Sequence, residues 1–259
     1  MIGLGVFQAE DGEQSAQAVQ WALEAGYKHI DTAYIYGNEK GVGQGIAKSG
    51  VKREEIFVTT KAWNEHIRQG TVREYFLKSL ENLGLDYVDL YLIHWPVEGR
   101  IEAWKEMIQL YEEKKIRAIG VSNFQVHHLK ELVEKTGFKP MVNQIESNPV
   151  FNNGELIAYC QSENIAVEAW SPLGGSETSI LDNETLLAIG EKYGKSPAQV
   201  IIRWNIQRNV IVLPKSVKQQ RIIQNYNVYD FALSDEEMQA INDLNQNKRC
   251  GADPDNFNF

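Results

Sequence analysis

The fold of this chain is most constrained by the regular alternation of short apolar runs with segments of helical periodicity. Eight runs have the length and apolar character of strands: Ile2–Phe7, Tyr27–Asp31, Ile56–Lys61, Tyr87–His94, Ala118–Asn123, Met141–Glu146, Ala166–Leu173 and Val210–Ser216. A strand that is buried on both faces of a parallel sheet gives such a run. Strands that alternate with helices form right-handed βαβ units, so the pattern predicts an α/β fold with a parallel sheet.

The segments between the runs carry helix signals. Apolar residues recur at helical spacing between Val72 and Leu83 and between Ile101 and Tyr111. Helix starts are indicated by three capping patterns: Thr71-x-x-Glu74, Ser196-Pro197-x-Gln199 and Ser234-x-x-Glu237.

The number of strand–helix units and the chain length together favour a closed barrel. A (β/α)8 TIM barrel typically needs about 250 residues, and this chain has 259. An open doubly wound sheet is the alternative. We predict a single barrel domain over residues 1–259, with an extra helix near Asn183–Tyr193. The tail from Ser234 to Phe259 is expected to lie over the active-site end of the barrel.

Polar side chains stand where three of the apolar runs end. Asp31, Lys61 and His94 occupy these positions, and Tyr36 follows Asp31 closely. The carboxyl ends of barrel strands meet at one face, so an acid, a phenol, an amine and an imidazole are expected to form a proton-transfer site. Taken singly, they also fit a turn former, a surface tyrosine, a solvated lysine and a core histidine. A buried lysine needs a countercharge, and Asp31 can supply it.

Composition excludes several classes of protein. Acidic residues outnumber basic ones, 35 to 26, and no long basic tract is present, so nucleic-acid binding is not expected. Cys160 and Cys250 cannot make a disulfide framework, which favours a reduced, cytoplasmic setting. Met1–Gln8 lacks the pattern of a signal peptide, and no apolar stretch approaches a membrane span. No metal site is indicated.

A series of motifs, in order along nearly the whole chain, resembles the signatures of the aldo-keto reductase family. They are Asp31-x-Ala33-x-x-Tyr36-Gly37, Thr60-Lys61-x-Trp63-Asn64, Leu92-Ile93-His94-Trp95-Pro96, Gly120-Val121-Ser122-Asn123-Phe124, Asn143-Gln144, Trp170-Ser171-Pro172-Leu173 and Leu213-Pro214-Lys215-Ser216. The sequence is most similar to prokaryotic-type reductases of small carbonyls, such as 2,5-diketo-D-gluconate and methylglyoxal reductases. The resemblance implies NADPH-dependent reduction of small aldehydes and ketones, either α-dicarbonyls or keto sugars.

The resemblance gives the four polar residues separate roles. Tyr36 would protonate the carbonyl oxygen as general acid, and His94 would hydrogen-bond and orient that oxygen. A phenol has an ordinary pKa of about 10, so its ionised form must be stabilised if it is to act as an acid near neutral pH. Lys61 would provide this stabilisation, and Asp31 would hold Lys61 charged and in place.

The nicotinamide cofactor must be held without a Rossmann fingerprint, because no Gly-x-Gly-x-x-Gly follows a strand. The glycines of Gly41-x-Gly43-x-Gly45 are predicted to serve helix packing. The resemblance implies that Trp170 stacks on the nicotinamide ring. It assigns the carboxamide to Ser122, Asn123 and Gln144, the pyrophosphate to Ser171, Leu173 and Gly174-Gly175, the 2′-phosphate to Lys215, Ser216 and Arg221, and the adenine to Gln224 and Asn225.

The substrate side of the site is assigned to aromatic residues. Phe7, Trp63 and Trp95, with His94, fall where the family lines its substrate pocket, although all three aromatics would also suit barrel packing. The stretch Glu98–Ile101 is shorter than the loop that the family commonly has there, and with the short segment Gly174–Ser179 this implies an open cleft. The N-terminal hairpin that usually closes the barrel bottom is not recognised ahead of Gly3, which affects stability more than activity.

Two other functions fit parts of the pattern. A non-catalytic barrel could bind NADPH as a sensor or partner subunit, and a barrel aldolase could use Lys61 as a Schiff-base nucleophile. Retention of all four polar residues favours the reductase over the sensor, and the nicotinamide motifs disfavour the aldolase. A monomer is expected from the resemblance.

Overall fold

In a computed structural model, which describes residues 1–175 and 178–259, the eight apolar runs form one closed barrel. Its strands are β1 (Leu4–Gly5), β2 (His29–Asp31), β3 (Phe57–Ala62), β4 (Val88–Ile93), β5 (Ile116–Ser122), β6 (Val142–Glu146), β7 (Ala166–Trp170) and β8 (Ile211–Val212). The strands pair in parallel and in sequence order, and bridges from Ile2 to Val212 and from Gly5 to Lys215 join the last strand to the first. The predicted TIM barrel is confirmed over the open sheet.

Helices surround the barrel in the order that the sequence predicts. They are α1 (Glu13–Glu24), α2 (Glu39–Lys48), α3 (Asn64–Arg68), α4 (Val72–Leu83), α5 (Arg100–Glu112), α6 (Val126–Thr136), α7 (Gly154–Ser162), α8 (Glu184–Tyr193), α9 (Pro197–Gln207), α10 (Gln219–Tyr226) and α11 (Asp235–Asn242). The extra helix, α8, begins with the Asn183 side chain accepting hydrogen bonds from the N–H groups of Thr185 and Leu186. None of the helices in the described part of the chain is long and apolar enough to cross a membrane.

Two of the three predicted capping patterns are confirmed. Ser196 and Ser234 form complete capping boxes at the starts of α9 and α11. The prediction for Thr71 is wrong, because its side chain makes no cap bond to α4. The Thr71 hydroxyl instead lies 3.5 Å from the carbonyl oxygen of His66, in the turn that precedes the helix.

The glycines of α2 serve helix packing, as predicted. A Cβ atom at Gly43 would lie 2.6 Å from the carbonyl carbon of Leu83 at the end of α4. Gly41 and Gly45 likewise approach the backbone near α1. These close contacts leave no room for side chains, so the three glycines set the distance between neighbouring helices.

Several strands end where the backbone turns into the site. Asn123, directly after β5, has a φ of 65°, and Ser171, directly after β7, has a φ of 47°. Such left-handed conformations cannot continue a strand. The apolar runs around β1 and β8 continue past the paired residues, to Phe7 and Ser216. After each of these strands the chain turns away from the sheet, and the residues that follow lie at the carboxyl end of the barrel.

Candidate active site

The four polar side chains meet at the carboxyl end of the barrel. Asp31 is the last residue of β2, Lys61 lies at the end of β3, and His94 directly follows β4. Tyr36 lies on a 3-10 turn, Tyr34–Tyr36, that comes shortly after β2. Asp31, Tyr36 and His94 line a cavity of about 700 Å³, and Lys61 lies behind them with no exposed surface.

The Lys61 ammonium uses all three of its protons in hydrogen bonds. Nζ donates to Oδ1 of Asp31 at 2.7 Å, to the carbonyl oxygen of Thr32 at 2.8 Å and to Oη of Tyr36 at 3.4 Å. Burial lowers the pKa of Lys61, but Asp31 and Tyr36 together raise it by more, so the pKa lies above its ordinary value. Lys61 is therefore charged at neutral pH. This disfavours the aldolase alternative, since a Schiff-base nucleophile must be a free amine.

The Tyr36 phenol is held between Lys61 and the cavity. Burial raises its pKa above the ordinary value, Lys61 lowers it part of the way back, and Asp31 raises it again. The expected stabilisation by Lys61 is thus present, but burial outweighs it and the net direction is upward. Tyr36 therefore carries its proton at neutral pH, as a proton donor must. The ring of Phe7 packs beside it, with centroids 5.0 Å apart.

His94 is a neutral imidazole at the other side of the cavity. Burial and the nearby charge of Lys61 keep the pKa of His94 well below its ordinary value. Its ring lies edge-on to Tyr36 at 5.7 Å and to Trp63 at 5.3 Å. Its Nδ1 is buried and has no hydrogen-bond partner among the described residues. A neutral imidazole can donate one hydrogen bond from the nitrogen that bears its proton.

The residues expected to hold the nicotinamide form one hydrogen-bonded group. Ser122 Oγ donates to the carbonyl oxygen of Gln144 at 3.0 Å, and Asn123 Nδ2 donates to the carbonyl oxygen of His94 at 3.0 Å. The indole nitrogen of Trp170 donates to Asn123 Oδ1 at 2.8 Å. All of these residues line the cavity. The indole ring is thus fixed by the same asparagine that is expected to bind the carboxamide.

Gln144 makes two hydrogen bonds that the sequence did not predict. Its Nε2 donates to Oδ2 of Asp31 and to Oε2 of Glu168, both at 2.8 Å. Both amide protons are therefore committed to carboxyl groups inside the barrel. Only Oε1 remains to accept a hydrogen bond from a ligand in the cavity.

The pyrophosphate and 2′-phosphate residues follow β7 and β8. Ser171, Leu173, Gly174 and Gly175 line the cavity; Ser176 and Glu177, within the expected short loop Gly174–Ser179, lie outside the described residues. Lys215 also lines the cavity and is exposed.

Four of the residues expected to bind the cofactor do not line the cavity. They lie on α10 or shortly before that helix: Ser216, Arg221, Gln224 and Asn225. Arg221 and Gln224 are exposed, whereas Ser216 and Asn225 are buried. The first N–H groups of α10 have no side-chain cap from Lys218, which suits an anion there.

Aromatic side chains form the opposite wall of the cavity. Phe7, Trp63 and Trp95 all line it. Phe7 is 56% exposed, whereas Trp95 is buried. Phe7 is therefore part of the cavity wall and not of the barrel core. Phe259, from the C-terminal tail, stacks parallel to Trp63 at 6.0 Å and lies edge-on to Trp95 at 5.1 Å. The tail therefore covers the active-site end, as predicted, and narrows a cleft expected to be open.

The tail is fastened to the site by Glu146, a residue that sequence reasoning missed. This buried carboxylate, at the end of β6, accepts hydrogen bonds from the backbone N–H groups of Cys250 at 2.6 Å and Gly251 at 3.2 Å. Gly251 lies against Trp170 so closely that a Cβ atom there would overlap the indole ring. The only sequence signal was an acid ending an apolar run, and its partners lie about a hundred residues away.

A second missed residue, Glu168, lies deeper in the barrel. It is buried within β7, and together with His29 and Asp31 it offers atoms that all lie within 4.8 Å of one another. Burial and the nearby Asp31 raise the pKa of Glu168 to about 8, against smaller opposing effects of Gln144 and Lys61. The sequence signal was an acid inside the apolar run Ala166–Leu173.

The chemistry of the cavity suits a dinucleotide. It offers the flat, partly exposed indole of Trp170, the Oε1 atom of Gln144 and the ammonium of Lys215, while the start of α10, which has no side-chain cap, lies beyond the lining. A nicotinamide presents a flat ring and a carboxamide, and a phosphorylated ribose presents an anion. Trp170 and Gln144 therefore suit the nicotinamide end of such a molecule, and Lys215 suits an anionic group.

Comparisons with known proteins agree with this description. The model of the "Aldo/keto reductase family" matches residues 1–246. A 9,11-endoperoxide prostaglandin H2 reductase of Trypanosoma cruzi is 55% identical over 258 residues, which are 99% of this chain and 91% of that protein. A glyoxal reductase of Bacillus subtilis is 52% identical, covering 100% of this chain and 93% of its own length. A crystal structure of a Bombyx mori aldo-keto reductase in complex with NADP is 42% identical, with a TM-score of 0.92 over 98% of this chain and 92% of that one.

Proposed function

This chain belongs to the aldo/keto reductase family and is an oxidoreductase, and we propose that it reduces small aldehydes and ketones to alcohols with NADPH. The observation that carries the proposal is the linked set of Tyr36, Lys61 and Asp31 at the wall of the cavity. A protonated phenol faces the cavity while a buried ammonium stands behind it, 3.4 Å from its oxygen.

This set can deliver a proton and accept the charge that the delivery leaves behind. When the Tyr36 proton passes to a substrate oxygen, the phenolate that forms faces the Lys61 charge in a site with little water. Asp31 keeps Lys61 charged through this step, because the ion pair at 2.7 Å makes loss of the ammonium proton unfavourable. The neutral His94 imidazole supplies a second hydrogen bond to orient the carbonyl oxygen.

The cofactor is proposed to be NADPH, which supplies the hydride when bound. Trp170 would stack on its nicotinamide ring, with Ser122, Asn123 and Gln144 at the carboxamide. Ser171 and Leu173 would contact the pyrophosphate. Lys215, Ser216 and Arg221 would bind the 2′-phosphate, with Gln224 and Asn225 at the adenine. The NADP complex of the Bombyx mori relative supports the class of cofactor.

The proposed substrates are small carbonyls such as α-dicarbonyls and keto sugars. The cavity offers one polar corner, at Tyr36 and His94, under a wall of aromatic rings. A compact carbonyl compound can place its oxygen in that corner while the rings cover the remainder. The glyoxal reductase among the relatives supports the α-dicarbonyl class.

The proposal is tested by following the oxidation of NADPH and NADH with a panel of α-dicarbonyls, simple aldehydes and keto sugars. Tyr36→Phe is expected to abolish reduction while NADPH still binds, as measured by quenching of tryptophan fluorescence. Tyr34→Phe is the matched control, because Tyr34 lies on the same turn but packs outward against His66 and Tyr75. Full turnover in Tyr36→Phe contradicts the assignment of the acid. Tight NADPH binding by the parent without turnover of any carbonyl favours the sensor alternative.

The cofactor preference is tested at Arg221. Arg221→Gln removes the charge proposed for the 2′-phosphate, so the KM for NADPH is expected to rise by about tenfold or more while the KM for NADH changes little. Lys48→Gln, at the exposed end of α2, is the control for a general loss of surface charge. Equal losses for both cofactors contradict the 2′-phosphate role. We also infer a cytoplasmic monomer, which size-exclusion chromatography with light scattering and localisation of the tagged chain would check.

A further inference from the structure

Behind the proposed catalytic set, the described residues place two buried carboxyl groups, Asp31 and Glu168, beside one buried cation, Lys61. Asp31 and Glu168 both accept hydrogen bonds from Gln144 Nε2 at 2.8 Å, and both are buried. Lys61 is the cation beside them, and it bonds Asp31. Two buried carboxylates this close repel each other, so one of them retains a proton.

The groups that face Glu168 determine which carboxyl keeps the proton. From β2, Asp31 forms an ion pair with Lys61 of β3 at 2.7 Å, while the second β2 residue, His29, has its nearest nitrogen 4.0 Å from Glu168. Burial lowers the pKa of His29 to about 4, so this ring is neutral and offers no charge. Its Nε2 lies 2.9 Å from the hydroxyl of Thr59. Glu168 therefore holds the proton at neutral pH, and Lys61 forms its ion pair with Asp31.

We propose that Glu168 is a positioning residue for the reduction proposed above, acting on Tyr36 through Gln144, Asp31 and Lys61, and that its ionisation slows proton delivery. The Gln144 side-chain amide donates to both carboxyl groups. Its bond to Glu168 therefore fixes the orientation in which it donates to Oδ2 of Asp31. Asp31 in turn orients Lys61, and Lys61 stands behind the phenol oxygen. Glu168 itself does not line the cavity.

The direction of the effect follows from the charges. When Glu168 loses its proton to solvent, the single ammonium must serve two carboxylates, and the interior gains one net negative charge. That charge disfavours the phenolate that Tyr36 becomes after it donates its proton. Tyr36 is then a weaker acid and reduction is slower. A change of one unit in the pKa of the phenol changes its proton-transfer equilibrium tenfold.

The experiment is a pH profile of kcat for glyoxal reduction with saturating NADPH, from pH 6 to 10. In the parent, kcat is expected to fall by about tenfold with a midpoint near 8, where Glu168 ionises. Glu168→Gln imitates the protonated acid at every pH and keeps an acceptor for Gln144, so its kcat should stay level through this range. Glu113→Gln, which removes an exposed acid paired with Arg73, is the control and should keep the profile of the parent.

Other results of these measurements would overturn the inference. A Glu168→Gln profile that superimposes on that of the parent overturns the inference, as does a parent profile that is level across pH 8. Infrared spectra of the parent test the charge state without a variant. A protonated carboxyl band at pH 7 that disappears by pH 9 supports the inference, and its absence at pH 7 overturns it. The reductase proposal fails separately, if Tyr36→Phe retains turnover.

Discussion

Replacing Lys61 with methionine tests how much the buried ammonium contributes to proton donation by Tyr36. Methionine is similar in length and keeps the site filled, but it cannot donate the three hydrogen bonds that Nζ makes. At 3.4 Å from the phenol oxygen, the ammonium charge interacts with a phenolate by about 5 kcal/mol as an upper bound, for an effective dielectric constant of about 20. Most of that interaction exists only after the proton has left Tyr36, so it lowers the barrier.

The expected result is a loss in kcat of about 10³-fold in single-turnover reduction of glyoxal by bound NADPH. NADPH affinity should change little, since Lys61 does not line the cavity. The same substitution leaves Asp31 buried without its cation. Breaking a buried ion pair in this way typically costs about 3–5 kcal/mol, which urea unfolding would measure.

Lys78→Met is the matched control. Lys78 also bonds a carboxylate, Glu74 at 2.7 Å, and also lies over a tyrosine ring, but it is exposed on α4. Water screens such a pair, so neither kcat nor stability should change measurably. A Lys61→Met variant that retains more than about a tenth of the parental kcat refutes the role given to Lys61.

Four further predictions follow from other parts of the molecule. Gly251→Ala places a methyl group into the Trp170 ring and should weaken NADPH binding about tenfold in fluorescence titrations, with unfolding midpoint little changed. His94 is neutral because its pKa lies well below the ordinary range, so kcat should be level between pH 5.5 and 7; a midpoint near 6.5 there contradicts this. The pKa of His29 is lowered to about 4, below its unfolded value, so the unfolded chain binds more protons between these values. Stability should therefore decline as pH falls from about 6.5 to 4, and His29→Gln should lessen that decline in urea titrations. Trp104→Ala should cost about 3–5 kcal/mol in unfolding free energy, because the ring is fully buried and its indole nitrogen donates to Phe138; a loss below 1 kcal/mol contradicts that packing.

The positions of the proposed catalytic side chains could be predicted because strand ends are local features. Asp31, Lys61 and His94 stand where apolar runs stop, and barrel geometry brings those stops to one face. The helix glycines and the caps at Ser196 and Ser234 were predictable for the same reason, since their patterns span only a few residues. Thr71 has the same pattern, but its hydroxyl lies near the preceding turn, which spacing alone does not reveal.

The contacts that hold the tail, and the roles of the deep carboxyl groups, could not be predicted. The stretch from Gln246 to Phe259 has neither helical nor strand period, and its position depends on Glu146 and on the rings of Trp63 and Trp95. In the sequence, Glu168 is an acid within a predicted strand. Only the closed barrel shows that Glu168 and Asp31 both accept hydrogen bonds from Gln144. The net rise in the pKa of Tyr36 also depends on burial, which a sequence does not quantify.

The proposed function depends above all on Tyr36 as the proton donor in carbonyl reduction with NADPH. The most direct test is single-turnover reduction of glyoxal by the NADPH complexes of Tyr36→Phe and Tyr34→Phe, with NADPH affinity measured in the same samples. We expect no detectable turnover and near-parental affinity for Tyr36→Phe, and parental turnover for Tyr34→Phe. Turnover by Tyr36→Phe at the parental rate would contradict it.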